Sequence, residues 1–96
     1  MKILVRNSDN TSSLRPPFPY DSWLEYWESK MEKINDEYFF PCFACGVWVS
    51  RSELDGCHVQ KVDGPSGKMY IIPLCSACNH RKDVFWVNDD LLVPAP

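Results

Sequence analysis

The sequence predicts an α+β domain, on three observations. Its cysteines include two CxxC pairs, Cys42-Phe43-Ala44-Cys45 and Cys75-Ser76-Ala77-Cys78. Between the pairs lie short β-branched and aromatic runs, separated by turn residues. Ahead of them Trp23, Trp27, Met31 and Ile34 recur at spacings of three and four, the period of one helix face.

A chain of 96 residues makes one domain with a modest core, a size at which a covalent or metal staple is often needed. The paired cysteines provide one. A CxxC turn can present both sulfurs to the same ion, and four soft thiolates are the ligand set of a closed, tetrahedral structural zinc site. Cys42, Cys45, Cys75 and Cys78 are therefore expected to bind one Zn2+. A redox dithiol would sit in a βαβ pattern, which this sequence lacks. The apolar run Ile3 to Val5 is too short for a signal-peptide core, and no stretch reaches transmembrane length. A cytoplasmic monomer without a membrane partner is the expectation. In that reducing compartment five cysteines, an odd number, favour a metal over disulfides.

Residues 1–21, rich in Asn, Ser, Thr and Pro from position 6 onward, are expected to be a flexible arm, and residues 22–96 a single zinc-binding domain. Residues 22–34 read as an amphipathic helix. Ser22 is a good N-cap and Glu25, three residues on, completes a capping box. Gly46, directly after Cys45, permits the sharp backbone of a zinc knuckle. Val47-Trp48-Val49 and Cys57 to Val62 read as strands, the second with Cys57, Val59 and Lys61 on one face and His58, Gln60 and Val62 on the other. Asp63 to Gly67 is a turn, Met69 to Ile72 a returning strand ended by Pro73. The second CxxC opens a short helix, and Val84 to Val87 reads as a further strand. Leu91 to Val93 adds a last packed segment. Knuckle, hairpin, then CxxC at a helix start is the treble-clef order, here over residues 38–87, with the helix 22–34 packed on it.

The string Cys42-x-x-Cys45, Gly56-Cys57-His58-Val59, Ile72-Pro73-Leu74-Cys75-x-x-Cys78-Asn79-x-x-Lys82 resembles the zinc-containing branch of the HNH endonucleases. The resemblance spans residues 42 to about 82. It implies a general-base role for His58 and a role at the catalytic divalent ion for Asn79. Two positions depart from that pattern. Cys57 stands where the family has Asp or His, and Tyr70 falls about where it has an Asn that orients the base. A thiol is a poor ligand for magnesium, which wants oxygens. His58 could instead bond a backbone carbonyl beside the zinc. Cys57 reads as a buried small apolar residue, and either residue could replace one thiolate.

Charge adds little. The net charge is −3, with the 42–82 stretch at +2 before four thiolates and one zinc return −2 to it. Three readings stay open. One is a zinc-binding, HNH-like domain that is catalytically impaired and acts as a binding or interaction module for a protein partner. Another is an active endonuclease using His58 with Mg2+ or another divalent ion. The third is a non-catalytic nucleic-acid-binding finger using Arg81, Lys82, Lys61 and Lys68.

Overall fold

A computed structural model describes the chain except residues 10, 12 and 32–38. Its centre is a five-stranded antiparallel sheet. The elements run β1 (Lys2–Asn7), α1 (Trp23–Lys30), β2 (Phe39–Pro41), β3 (Trp48–Ser50), β4 (Leu54–Lys61), β5 (Tyr70–Cys75), α2 (Ser76–Asn79), β6 (Val84–Asn88) and β7 (Val93–Pro94). The sheet order is β6-β1-β4-β5-β7, and β2 and β3 form a separate hairpin. A small mixed α+β fold is thus what the chain adopts.

The expected arm over residues 1–21 is corrected at both ends. Lys2–Asn7 is not an arm but the strand between β6 and β4. Ile3 and Val5 turn into the core beside Phe85 and Val87, while Lys2, Leu4 and Arg6 share the other face with Val84, Trp86 and Asn88. That alternation is only six residues long, and its apolar members run together as Ile-Leu-Val, so the period of two is hard to see. Further along, the Leu14 carbonyl accepts from Trp23 Nε1 at 3.3 Å, and the Tyr20 hydroxyl lies 2.8 Å from Ser29 Oγ. The segment is laid against α1.

Helix α1 starts where the capping residues place it. Ser22 Oγ accepts from Glu25 N–H at 3.1 Å, and Glu25 Oε2 reaches back to Asp21 N–H at 3.2 Å. The described helix ends at Lys30 with Met31 as its cap, so Ile34 lies outside the described residues. Leu24, Tyr26, Trp27 and Glu28 are its buried positions. Tyr26 and Trp27 pack on Ile71 and Val93, with Met31 at the margin. Trp27 Nε1 is satisfied by the Leu91 carbonyl at 2.7 Å. Glu28 is nearly buried, and Arg51 meets its carboxylate with both Nε (2.9 Å) and Nη2 (2.5 Å). That two-pronged bond holds α1 to the 3-10 turn Arg51–Glu53 ahead of β4.

Close contact fixes one glycine. A Cβ on Gly56 would stand 2.5 Å from Leu24 N and from Trp23 C, so the backbone of α1 sits directly on β4. The strands differ from expectation in one respect. β5 does not stop at Pro73 but runs through it to Cys75. The Pro73 carbonyl accepts from Phe43 N–H at 3.4 Å, so it points away from β4. In a strand the N–H and C=O of one residue point the same way, so the missing proline N–H costs the β4–β5 ladder nothing.

The two faces of β4 and β5 carry different layers. Cys57, Val59, Tyr70, Ile72 and Leu74 join Val5, Phe85 and Val87 in one core, together with Cys42, Cys75 and Cys78. Ile71 faces Tyr26 and Trp27 in the other. Both sides of the hairpin are covered, so Cys57, His58 and Val59 are all buried in succession. No helix among the described residues is long and apolar enough to cross a membrane.

Candidate metal centre

Two turns bring four sulfurs together. The first follows β2. Cys42 N–H donates to the Val47 carbonyl at 2.8 Å and Gly46 N–H to the Cys42 carbonyl at 2.9 Å, closing a tight loop between β2 and β3. Gly46 has φ +80° with nothing near its missing Cβ, so glycine is required there by backbone conformation and not by space. The second is the end of β5 and the single turn α2, which begins just after Cys75.

The sulfurs of Cys42, Cys45, Cys75 and Cys78 lie within 4.8 Å of one another. Cys45 Sγ and Cys75 Sγ are 3.9 Å apart. Four sulfurs at the usual 2.3 Å from a central zinc would form a tetrahedron with edges of about 3.8 Å. The set therefore has the ligand chemistry and the spacing of a metal site such as a structural zinc centre. Three of the four thiols are buried and Cys45 is exposed.

The backbone prepares this site for negative charge. Ala44 N–H and Cys75 N–H point at Cys42 Sγ from 3.5 and 3.4 Å. Burial opposes ionisation of Cys42, but hydrogen bonds from the amides of Cys45, Cys75 and Ala44 outweigh it and hold the thiol down at about 7. Burial pushes Cys75 and Cys78 upward, and for Cys78 the neighbouring sulfurs add to the rise. Four adjacent sulfurs cannot all carry charge unaided, and a doubly charged ion is what allows it.

Cys57 is not among the clustered ligands. It is buried in the same core, and its thiol donates to the Asp55 carbonyl at 3.3 Å. Burial first, then the charge of Asp55, pushes its pKa well up, so it stays a neutral thiol.

His58 and Asn79 are not joined by a hydrogen bond among the described residues. His58 is 6% exposed, on the face covered by α1. Its ring meets that of Trp23 edge-on, and its cross-strand partner is Ile71, fully buried. Nε2 is buried without a hydrogen-bond partner, and burial lowers the pKa. Tyr70 stands opposite Val59 and not opposite His58. Asn79 is the last residue of α2, half-buried. His80 Nδ1 bonds the Ser76 carbonyl at 2.8 Å, which makes it a clasp on α2.

The sequence reading missed Asn7. Its Nδ2 donates to the carbonyls of Cys78 (2.9 Å) and Arg81 (3.0 Å), tying β1 to the turn that presents the second thiol pair. Nothing local flags an asparagine with partners more than 70 positions away. Three of the four expected basic contacts are engaged within the chain. Arg81 grips Asp83 and lies over Phe85, Lys61 pairs with Asp89 at 3.2 Å and sits over the Tyr70 ring, and Lys68 also sits over Tyr70. No protein-family profile, curated protein or solved structure matches the chain. The HNH resemblance accordingly rests on the motif residues alone.

Proposed function

We propose that this chain is a zinc-stapled module of treble-clef type, HNH-like in its motif but without phosphodiesterase activity, which serves as a binding or interaction domain. One observation carries the reading. The residue in the general-base position, His58, lies beneath Trp23 and opposite Ile71. A base that activates water must be within hydrogen-bond reach of it and is usually held by a polar partner. Here an indole ring and an isoleucine fill those places. Cys57, buried and neutral beside it, offers no oxygen to a hard cation.

In this reading the metal at Cys42, Cys45, Cys75 and Cys78 supplies folding energy and no chemistry. The test is a plasmid-nicking assay of the zinc-loaded chain with magnesium, manganese and nickel, beside His58→Ala and Asn79→Ala. All three proteins are expected to leave supercoiled plasmid intact. Nicking by the parent chain that both substitutions and chelation abolish would make the chain an endonuclease and end this reading.

A further inference from the structure

The two edges of the five-stranded sheet are built differently. At one end β7 is two residues long and contains Pro94, a short and blunted edge. At the other end β6, Val84-Phe85-Trp86-Val87-Asn88, has five residues, no proline and no charge. Phe85 and Val87 are buried, whereas Trp86 is 57% and Val84 43% exposed. Natural sheets rarely leave such an edge bare.

The phase of the ladder shows which backbone groups the edge presents. Val62 N–H donates to the Leu4 carbonyl at 3.0 Å, so the backbone of Leu4 faces β4. Leu4 stands opposite Trp86, which makes that pair the non-bonded kind. The N–H and C=O of Trp86 therefore point to the edge that has no strand partner among the described residues, and by the same alternation so do those of Val84 and the N–H of Asn88, whose C=O already opens the 3-10 turn Asp89–Leu91. Asp89 N–H bonding the Met1 carbonyl at 2.8 Å has the same phase. The residues with free backbone groups are those whose side chains lie on the outer face.

We propose that β6 pairs with β6 of a second copy of this chain, antiparallel, about a two-fold axis through Trp86. The strand is self-complementary in that register. Trp86 exchanges both backbone bonds with the second copy's Trp86, and the Asn88 N–H of each copy donates to the Val84 carbonyl of the other, giving about four bonds in all. On the outer face the two indoles meet, each with a large apolar area to cover. On the inner face Phe85 of each copy continues the core toward Val87 of the other. The register brings Asp83 of one copy near Asp89 of the other. Each carboxylate is already held by its own cation, Asp83 by Arg81 and Asp89 by Lys61, so no bare like-charge pair forms. The contact is small, below the roughly 1,200 Å² of a standard interface. It gives a dimer that grows in with concentration, which replaces the monomer expected from the sequence.

The test uses the zinc-loaded full chain in sedimentation velocity from micromolar to millimolar concentration, with amide hydrogen exchange at both ends of the range. The mass is expected to rise toward twice that of the chain, and the amides of Trp86 and Asn88 to become protected as it does. Trp86→Lys places two like charges at the axis, and Val84→Pro sets a proline ring on the pairing edge of each chain. Both point outward from the fold, so zinc content should be unchanged. Trp86→Lys should stay monomeric throughout and Val84→Pro should dimerise more weakly. A parent chain that is monomeric at millimolar concentration overturns the proposal. So does a dimer that survives Trp86→Lys but is lost in Trp48→Lys, because Trp48, 65% exposed, lies on the separate hairpin. If poly-glutamate protects the amides of Trp86 and Asn88 in a chain that does not self-associate, the edge belongs to an acidic peptide strand and the self-pairing is wrong.

Discussion

Trp23 and His58 meet edge to face, with ring centroids 4.5 Å apart and planes at 84°. The contact joins α1 to the middle of β4 and shuts the imidazole away from water. Burial then keeps the ring below its ordinary pKa of 6.5. The unfolded chain would bind a proton in a range where the folded chain does not. His58 therefore favours the fold fully above about pH 6.5, and that contribution is lost as pH falls through 6.5 toward the folded value. The denaturant midpoint of the parent chain should drop on acidification from pH 7 to about 5 by more than that of His58→Gln. Parallel loss in the two proteins would assign the acid sensitivity to the thiolates and not to His58.

Removal of the metal should unfold the chain. Structural zinc in small domains contributes on the order of 10 kcal/mol, about the whole stability of a domain this size. One zinc per chain is expected by elemental analysis. A strong chelator should collapse the dispersion of the amide spectrum. Cys57→Ser should retain full zinc stoichiometry, whereas Cys42→Ser should not. Zinc loss in the Cys57 variant would make that thiol a ligand.

The α1 layer should be part of the same cooperative unit. Trp27 is 3% exposed, meets Phe43 with the rings tilted and their centroids 5.5 Å apart, and bonds the Leu91 carbonyl. Trp27→Ala should cost about 3–5 kcal/mol in equilibrium unfolding of the zinc-loaded protein. An unchanged midpoint would mean that the helix is not stabilised by the sheet.

Gly56→Ala is a sharper test of the same layer. The added methyl would strike the backbone of Trp23 and Leu24 at 2.5 Å, and backbone cannot rotate aside. A destabilisation of about 1–3 kcal/mol is expected, with Trp23 emission shifted to the red as α1 lifts. Gly67→Ala makes no such contact, and any cost there comes from its φ of +81°, a strain that Gly56 does not carry.

Asn7→Ala should loosen the second thiol pair from a distance. It removes the donor shared by the Cys78 and Arg81 carbonyls, a loss of about 1–3 kcal/mol. Competition against a metallochromic chelator should show weaker zinc retention than in the parent. Equal retention would limit Asn7 to bracing the sheet.

The clustering of Cys42, Cys45, Cys75 and Cys78 was legible because CxxC spacing is a local signal that needs no tertiary knowledge. The start of α1 was legible for the same reason, through Ser22 and Glu25. The strand at Val84 was legible from its β-branched and aromatic run. What could not be read depends on layers meeting. His58 and Cys57 were assigned to opposite faces, correctly, but alternation says nothing of whether both faces are covered. Pro73 looked like a strand end because its lack of an N–H matters only on the side facing a partner, and register decides that side. β1 was hidden because a six-residue strand owes its place to β4 and β6, far away in the chain.

That last placement has a kinetic side. The pairing of Lys2 with Asn88 joins residues 86 positions apart, among the most distant contacts such a chain can make. The sulfurs of Cys45 and Cys75 close a loop of only 30 positions. Closure entropy grows with the logarithm of loop length, and non-local strand pairing is slow. Metal capture and the β4–β5 hairpin can therefore form early, while β1 enters late and β6 joins the sheet only through it. Folding should show its slow step in the protection of the β1 amides, and until β1 arrives only β4, β5 and β7 can stand in the sheet beside the metal, because β6 pairs with β1 alone.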